Sequence, residues 1–102
     1  MTPEGKIKNM IKDVLDAYGC YYFMPVQTGL GASGLDFHCV IHGRAFFIEA
    51  KRDELVEPTN RQHFLINTLR SKHNCEVFVV GGIQSLKQLS TWLEARFREN
   101  AR

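Results

Sequence analysis

Three residues in the stretch GLDFHCVIHGRAFFIEAKR, residues 34–52, have the types and spacing to do chemistry: Asp36, Glu49 and Lys51. They sit among apolar residues. Ionised groups avoid half-buried sheet unless something offsets their desolvation. The pair His42-Gly43 puts Gly where a tight hairpin turn wants a positive φ, so 35–41 and 44–51 read as two strands of a hairpin. A two-residue turn pairs Ile41 with Arg44, and counting outward pairs Asp36 with Glu49. Cross-strand partners share a face, with Cβ atoms ~5 Å apart. Lys51, two residues past Glu49, lies on that face too. Facing carboxylates repel unless one is protonated or a cation lies between them. Hard oxygen ligands suit Mg²⁺ or Mn²⁺. A nearby ammonium can position a water or stabilise charge on a phosphoryl oxygen. Two carboxylates, a lysine and a metal are a set for phosphodiester hydrolysis. The plainer alternative is a strand-start Asp36, an exposed Glu49 and a Lys51 that merely pairs with it. A one-residue bulge would also undo the register.

The elements that must position these residues read as α-β-β-β-α-β-α. Thr2-Pro3 opens a first helix, with Pro3 at the first helical position. Ile7, Met10, Ile11, Val14, Leu15 and Tyr18 give it one apolar stripe, and Gly19 can stop it. Residues 21–27, YYFMPVQ, read as a strand, with Pro25 marking an edge or a bulge. Residues 28–34, TGLGASG, are a glycine-rich loop, and RDELVEP is another loop. Thr59-Asn60-Arg61-Gln62 fits a capping box at the start of a second helix, with Phe64, Leu65, Thr68 and Leu69 as its buried face. EVFVVGG, 76–82, is a short buried strand, parallel to the one before it if a helix makes the crossover. Ser85 is expected to cap a last helix whose inward residues are Leu86, Leu89, Trp92, Leu93 and Phe97. The fold class expected is α/β, a sheet with helices packed on it.

A length of 102 residues suits one domain, 1–102, with one core. The mix of 44% hydrophobic and 24% charged residues is that of an ordinary globular chain. No apolar run reaches the roughly 18 residues of a transmembrane helix. Charges in MTPEGKIKNMIKD replace the apolar stretch of a signal peptide, so the expected location is cytoplasmic. Cys20, Cys39 and Cys75 are odd in number and lack CxxC spacing, which reads as free thiols. The net charge of +2 does not by itself demand a nucleic-acid partner. An acidic centre at 26–50 does sit beside a mildly basic flank at 51–73. Arg44, Arg52, Arg61, Arg70 and Lys72 are candidate phosphate contacts, or plain solvated charges.

Other residues admit two readings each. His38 shares the carboxylate face and either turns toward the acids or packs as a core histidine. His42 is a turn residue, and His63 and His73 read as helix surface. Ser33 has no Ser-His-Asp order behind it. The glycines of TGLGASG are not followed by the Gly-Lys-Ser/Thr of a phosphate loop.

Asp36 followed by Glu49-Ala50-Lys51 with a hairpin between resembles the PD-(D/E)XK nuclease superfamily. The leading helix, GASGLDFHCVIHGRAFFIEAKR, EPTNRQHFLINTL and VFVVGG together resemble its VRR-NUC (virus-type replication-repair nuclease) domain, over nearly the whole chain. Two departures stand out: Leu35 replaces the usual Pro before the motif Asp, and SKHNCEV lacks a common Gly, for which Asn74 can substitute as a left-handed cap. The resemblance implies a minimal restriction-endonuclease-like core, a mixed sheet with flanking helices, that binds Mg²⁺ or Mn²⁺ and cleaves DNA. It implies Asp36, Glu49 and the Ala50 carbonyl as metal ligands, Lys51 as the catalytic lysine and Gln62 near metal and phosphate. Glu4 would match an acidic first-helix residue that completes the metal site, although the helix dipole alone also explains an acid there. Gln62 likewise has a structural explanation in its capping box. The resemblance further implies branched DNA, such as Holliday junctions, cut by a homodimer of viral or phage type. The alternatives are a restriction-like or flap nuclease on the same core, a non-catalytic DNA-binding module, or a small metal-binding protein unrelated to DNA. No membrane partner and no small-molecule cofactor are expected.

Overall fold

The computed structural model describes residues 1–26 and 34–99. The elements are α1 (Pro3–Ala17), β1 (Tyr21–Phe23), β2 (Phe37–Ile41), β3 (Arg44–Ala50), α2 (Asn60–His73), β4 (Glu76–Val80) and α3 (Ile83–Glu99), the expected order. They build a mixed four-stranded sheet in the order β1-β2-β3-β4. The first three strands are antiparallel and β4 runs parallel to β3, because α2 carries the chain back across the sheet before β4 begins.

Local chemistry sets each boundary. The Thr2 hydroxyl accepts from the Gly5 amide, and Pro3 opens α1 where a missing N–H costs nothing. Gly19, at φ 66°, turns the chain out of α1. His42 and Gly43, at φ 46° and 83°, form the β2–β3 turn, and both positive angles match the twist of a tight hairpin. The pairing therefore runs without a bulge from Ile41–Arg44 to Phe37–Ile48. Asn74, at φ 53°, ends α2 in the left-handed conformation.

Alternation along β2 and β3 divides the core in two. Phe37, Cys39, Ile41, Phe46, Ile48 and Ala50 face α1 and α3, meeting Ile7, Ile11, Leu15, Leu89 and Leu93. Phe37 and Phe46 are fully buried, each contributing about 1.5–3 kcal/mol. A smaller cluster of Leu35, Ile66 and Val77, backed by Phe47, Leu65, Leu69 and Val79, joins α2 to the other face.

Four sequence expectations are corrected. The strand read over 21–27 is confined to Tyr21–Phe23, and 24–26 are irregular; Pro25, which has no amide to donate, follows the strand instead of interrupting it. Gln27, Ser33 and most of the glycine-rich loop lie outside the described residues. In α2, Ile66 is the buried residue and Phe64 is 75% exposed. Ser85 is not a cap: α3 begins at Ile83. Its amide donates to Glu54 Oε1 at 3.0 Å, and its hydroxyl donates to Glu54 Oε2 at 2.8 Å and accepts from the Gly81 amide at 2.9 Å. Glu54, from the loop after β3, thus supplies the acceptor that the first turn of α3 needs. Phe97, expected to face inward, is 44% exposed and meets Tyr18 edge-on.

The loop 52–58 is pressed on this junction. A Cβ at Gly81 would run into the Asp53 carbonyl oxygen. Gly81→Ala is expected to cost about 1–3 kcal/mol, as overpacking does, read as a lower urea midpoint. An unchanged midpoint would mean that the loop is not held there.

Candidate active site

The site forms where the β2–β3 ladder ends. Past the last pair, Phe37–Ile48, the two chains are joined by acidic side chains instead of backbone alone. The Ala50 amide donates to Asp36 Oδ2 at 2.8 Å, and the Asp36 amide donates to Glu49 Oε1 at 3.3 Å. The hairpin register thus brings Asp36 and Glu49 together as the counting required.

Glu49 is 4% exposed and Lys51 8%, the two charged residues among the buried groups described. Lys51 is fixed at both ends. Its amide donates to the Val80 carbonyl at 2.8 Å, prolonging the parallel β3–β4 pairing. Its ammonium donates to Gln62 Oε1 at 2.7 Å and lies 3.3 Å from Glu49 Oε2.

Gln62 caps α2 and also reaches Lys51 and Glu49. It is the third helical residue of a complete capping box: the Thr59 hydroxyl accepts from the Gln62 amide, and Gln62 Oε1 accepts from the Thr59 amide. The same Oε1 accepts from Lys51, while Nε2 donates to Glu49 Oε2 at 2.7 Å. Capping fixes the side chain, and the fixed side chain ties lysine to glutamate.

Burial pushes the Glu49 carboxyl up to about 7, aided by the neighbouring Asp36 charge and opposed by the Lys51 ammonium. A carboxyl so placed is stabilised by a further cation.

The other candidates divide by position. Glu4, in the first turn of α1, reaches the acids through Lys8. The Lys8 ammonium lies 3.6 Å from Glu4 Oε2 and 3.6 Å from Asp36 Oδ1. The four-residue spacing of Glu4 and Lys8 marks them as a helical ion pair, but the contact of Lys8 with Asp36 has no local signal in the sequence. Arg52 and Arg61 are exposed neighbours of Lys51 and Gln62. Arg44 lies at the far end of β3, roughly 17 Å along the strand from Glu49, where it pairs with Glu99. Arg70 donates to the Val77 carbonyl at 2.7 Å, bracing α2 on β4. Lys72 is in the last turn of α2, roughly 15 Å along the axis from Gln62. His38 is packed: its ring meets Phe23 and Phe47 edge-on. Cys20, Cys39 and Cys75 are free, and burial pushes the Cys39 thiol up to about 12 and the Cys20 thiol up to about 11. Such thiols are poor nucleophiles and poor metal ligands.

Among the described residues, no three His, Cys, Asp or Glu side chains converge to hold a metal ion unaided. The donor set that does converge, two carboxylates beside an open sheet end, fits Mg²⁺ or Mn²⁺. These ions keep several waters and take one or two carboxylates plus substrate phosphate.

This geometry and topology define the chain as having a small α/β nuclease fold. A solved structure described as "VRR_NUC domain" is 27% identical to it, covers 87% of this chain and 95% of its own, and superposes with a TM-score of 0.76. The fold is thus that of a VRR-NUC nuclease domain, and the resemblance read from the sequence holds. No family model and no curated protein matches the sequence.

A raised carboxyl favours the protonated folded protein. Without metal, the stability linked to Glu49 is full below about pH 4.5, its ordinary value, and is lost as pH rises through about 7. In EDTA, wild type is therefore expected to lose melting temperature relative to Glu49→Gln between pH 5 and pH 8. A wild-type melting temperature that holds level with Glu49→Gln, or rises relative to it, over that range would contradict a raised carboxyl.

Proposed function

We propose that the protein is a divalent-metal-dependent DNA endonuclease that hydrolyses phosphodiester bonds. The observation that carries this reading is the adjacent pair of Asp36, half-buried, and Glu49, buried, with Lys51 tied to Glu49 through Gln62. Support also comes from the fold it shares with the VRR-NUC domain.

Asp36 and Glu49 would hold Mg²⁺ or Mn²⁺, with the Ala50 carbonyl and Glu4 as further oxygen donors. The ion, when bound, would supply Lewis-acid stabilisation of phosphoryl charge and acidify water. Lys51 has three N–H groups; Gln62 and Glu49 account for two. The third is left for a water or a phosphoryl oxygen, where it would offset charge developing in the transition state. Gln62 would keep the ammonium and the Glu49 carboxylate in fixed relation. Burial of the lysine strengthens this electrostatic role. Arg52 and Arg61 are the phosphate contacts best placed for the scissile strand; Arg44, Arg70 and Lys72 would serve more distant phosphates.

The substrate favoured is branched DNA, Holliday junctions included, cut by a homodimer in the cytoplasm of a bacterial or infected cell. A chain of this size offers little surface for gripping DNA, and a two-fold pair doubles both surface and sites. Among the described residues, no helix is long and apolar enough to cross a membrane.

The test is to incubate the protein with a synthetic four-way junction and a matched linear duplex in Mg²⁺, Mn²⁺ or EDTA, beside Lys51→Ala. Metal-dependent cutting of the junction is expected, with the variant slower by at least about 10²-fold. Equal cutting of both substrates would remove junction selectivity and leave the chemistry. No cutting by folded, metal-loaded protein would favour a DNA-binding module without catalysis.

A further inference from the structure

The charges around Asp36 are arranged asymmetrically. Its Oδ2 accepts from the Ala50 amide, so Oδ1 is the oxygen turned away from the hairpin. Lys8 covers that oxygen. Ile7, Ile11 and Leu15 seat α1 on the core, which fixes the phase of the helix. Glu4 and Lys8, one turn apart beside that seam, are carried to the end of the sheet. The Lys8 side chain is 29% exposed and its ammonium is 3.6 Å from both Asp36 Oδ1 and Glu4 Oε2. Glu4, Asp36 and Glu49 then face two ammoniums, Lys8 and Lys51, a formal balance of −1.

We propose that Lys8 is a placeholder cation: its ammonium bridges Asp36 and Glu4 in the metal-free protein, must withdraw when a divalent cation binds, and so sets the metal affinity. The inference rests on the proposed metal site. Adding a divalent ion with Lys8 in place would bring the formal balance to +1; with Lys8 withdrawn it is zero. The smaller charge imbalance is favoured most at the buried Glu49 and Lys51 end of the cluster. A lysine has a long flexible stem on which to withdraw, and this one is already partly in solvent. Arginine at the same position would keep the charge and hold it more rigidly.

Charges within ~4–6 Å shift ionic equilibria by one to three decades. Removing this one is therefore expected to tighten binding of a divalent ion by about tenfold or more. The experiment titrates Mn²⁺ into EDTA-treated, dialysed protein without DNA. Free Mn²⁺ is read by electron paramagnetic resonance for wild type, Lys8→Met, Lys8→Gln and Lys8→Arg, with Asp36→Asn as the site control. Lys8→Met and Lys8→Gln should bind about tenfold tighter, Lys8→Arg no tighter than wild type, and Asp36→Asn much more weakly. Melting temperature supplies a second readout. In EDTA the two neutral variants should melt below wild type, and saturating Mn²⁺ should close or reverse that gap. Equal Mn²⁺ affinity in wild type and the neutral variants, with Asp36→Asn weakened, would overturn the role of Lys8 and leave the metal site standing. Absence of Mn²⁺ binding by folded wild type and all variants would overturn the metal site itself, and the inference with it.

Discussion

The structure is organised around two like charges held side by side at the end of a hairpin. Asp36 and Glu49 face each other because a two-residue turn at His42-Gly43 sets the register and no bulge interrupts it before Phe37–Ile48. Burying such a pair is unfavourable by desolvation and by mutual repulsion. Each neighbouring element supplies a part of the compensation. β3 gives the Ala50 amide, Lys51 just beyond it gives its ammonium, α2 gives the Gln62 amide group, and α1 gives Lys8. The compensation is incomplete, since Glu49 remains pushed up to about 7. A fold that keeps a costly pair in place is characteristic of sites built to bind something.

Helix ends do much of the positioning. The start of α2 is a capping box whose glutamine is also the link between lysine and glutamate, so the same hydrogen-bonding residue terminates a helix and orients a site. The start of α3 is closed by Glu54, which anchors the loop that leaves Lys51. The start of α2 holds the Lys51 side chain through Gln62, and the Val80 carbonyl holds its backbone. Rigid support of this kind matters because charged groups gain from a buried setting only when they need not reorganise.

Much of this was legible in the sequence for local reasons. The turn pair fixed which residue faced which, and helical spacing gave the seam of α1. Where the reading failed, the deciding contact was not local. Phe64, Leu65, Thr68 and Leu69 read as the buried face of α2, yet the face that meets the sheet is centred on Ile66. Leu65, Ile66 and Leu69 pack against the sheet, and Phe64 turns away. Ser85 was read as a cap because serine favours that position, but its partner is Glu54, 31 residues earlier. The capping box at Gln62 is legible from Thr59-Asn60-Arg61-Gln62, whereas its contacts with Lys51 and Glu49 depend on the fold. Lys8 went unremarked because it is an ordinary helix lysine until the fold brings Asp36 beside it.

The central claim is that Asp36 and Glu49 jointly bind one kind of ion. The most direct measurement is anomalous diffraction from crystals of the protein soaked in Mn²⁺. A manganese peak is expected within ligand distance of both carboxylates, at the end of the hairpin beside Lys51. A map in which Mn²⁺ binds elsewhere, with the two carboxylates unengaged, would contradict it.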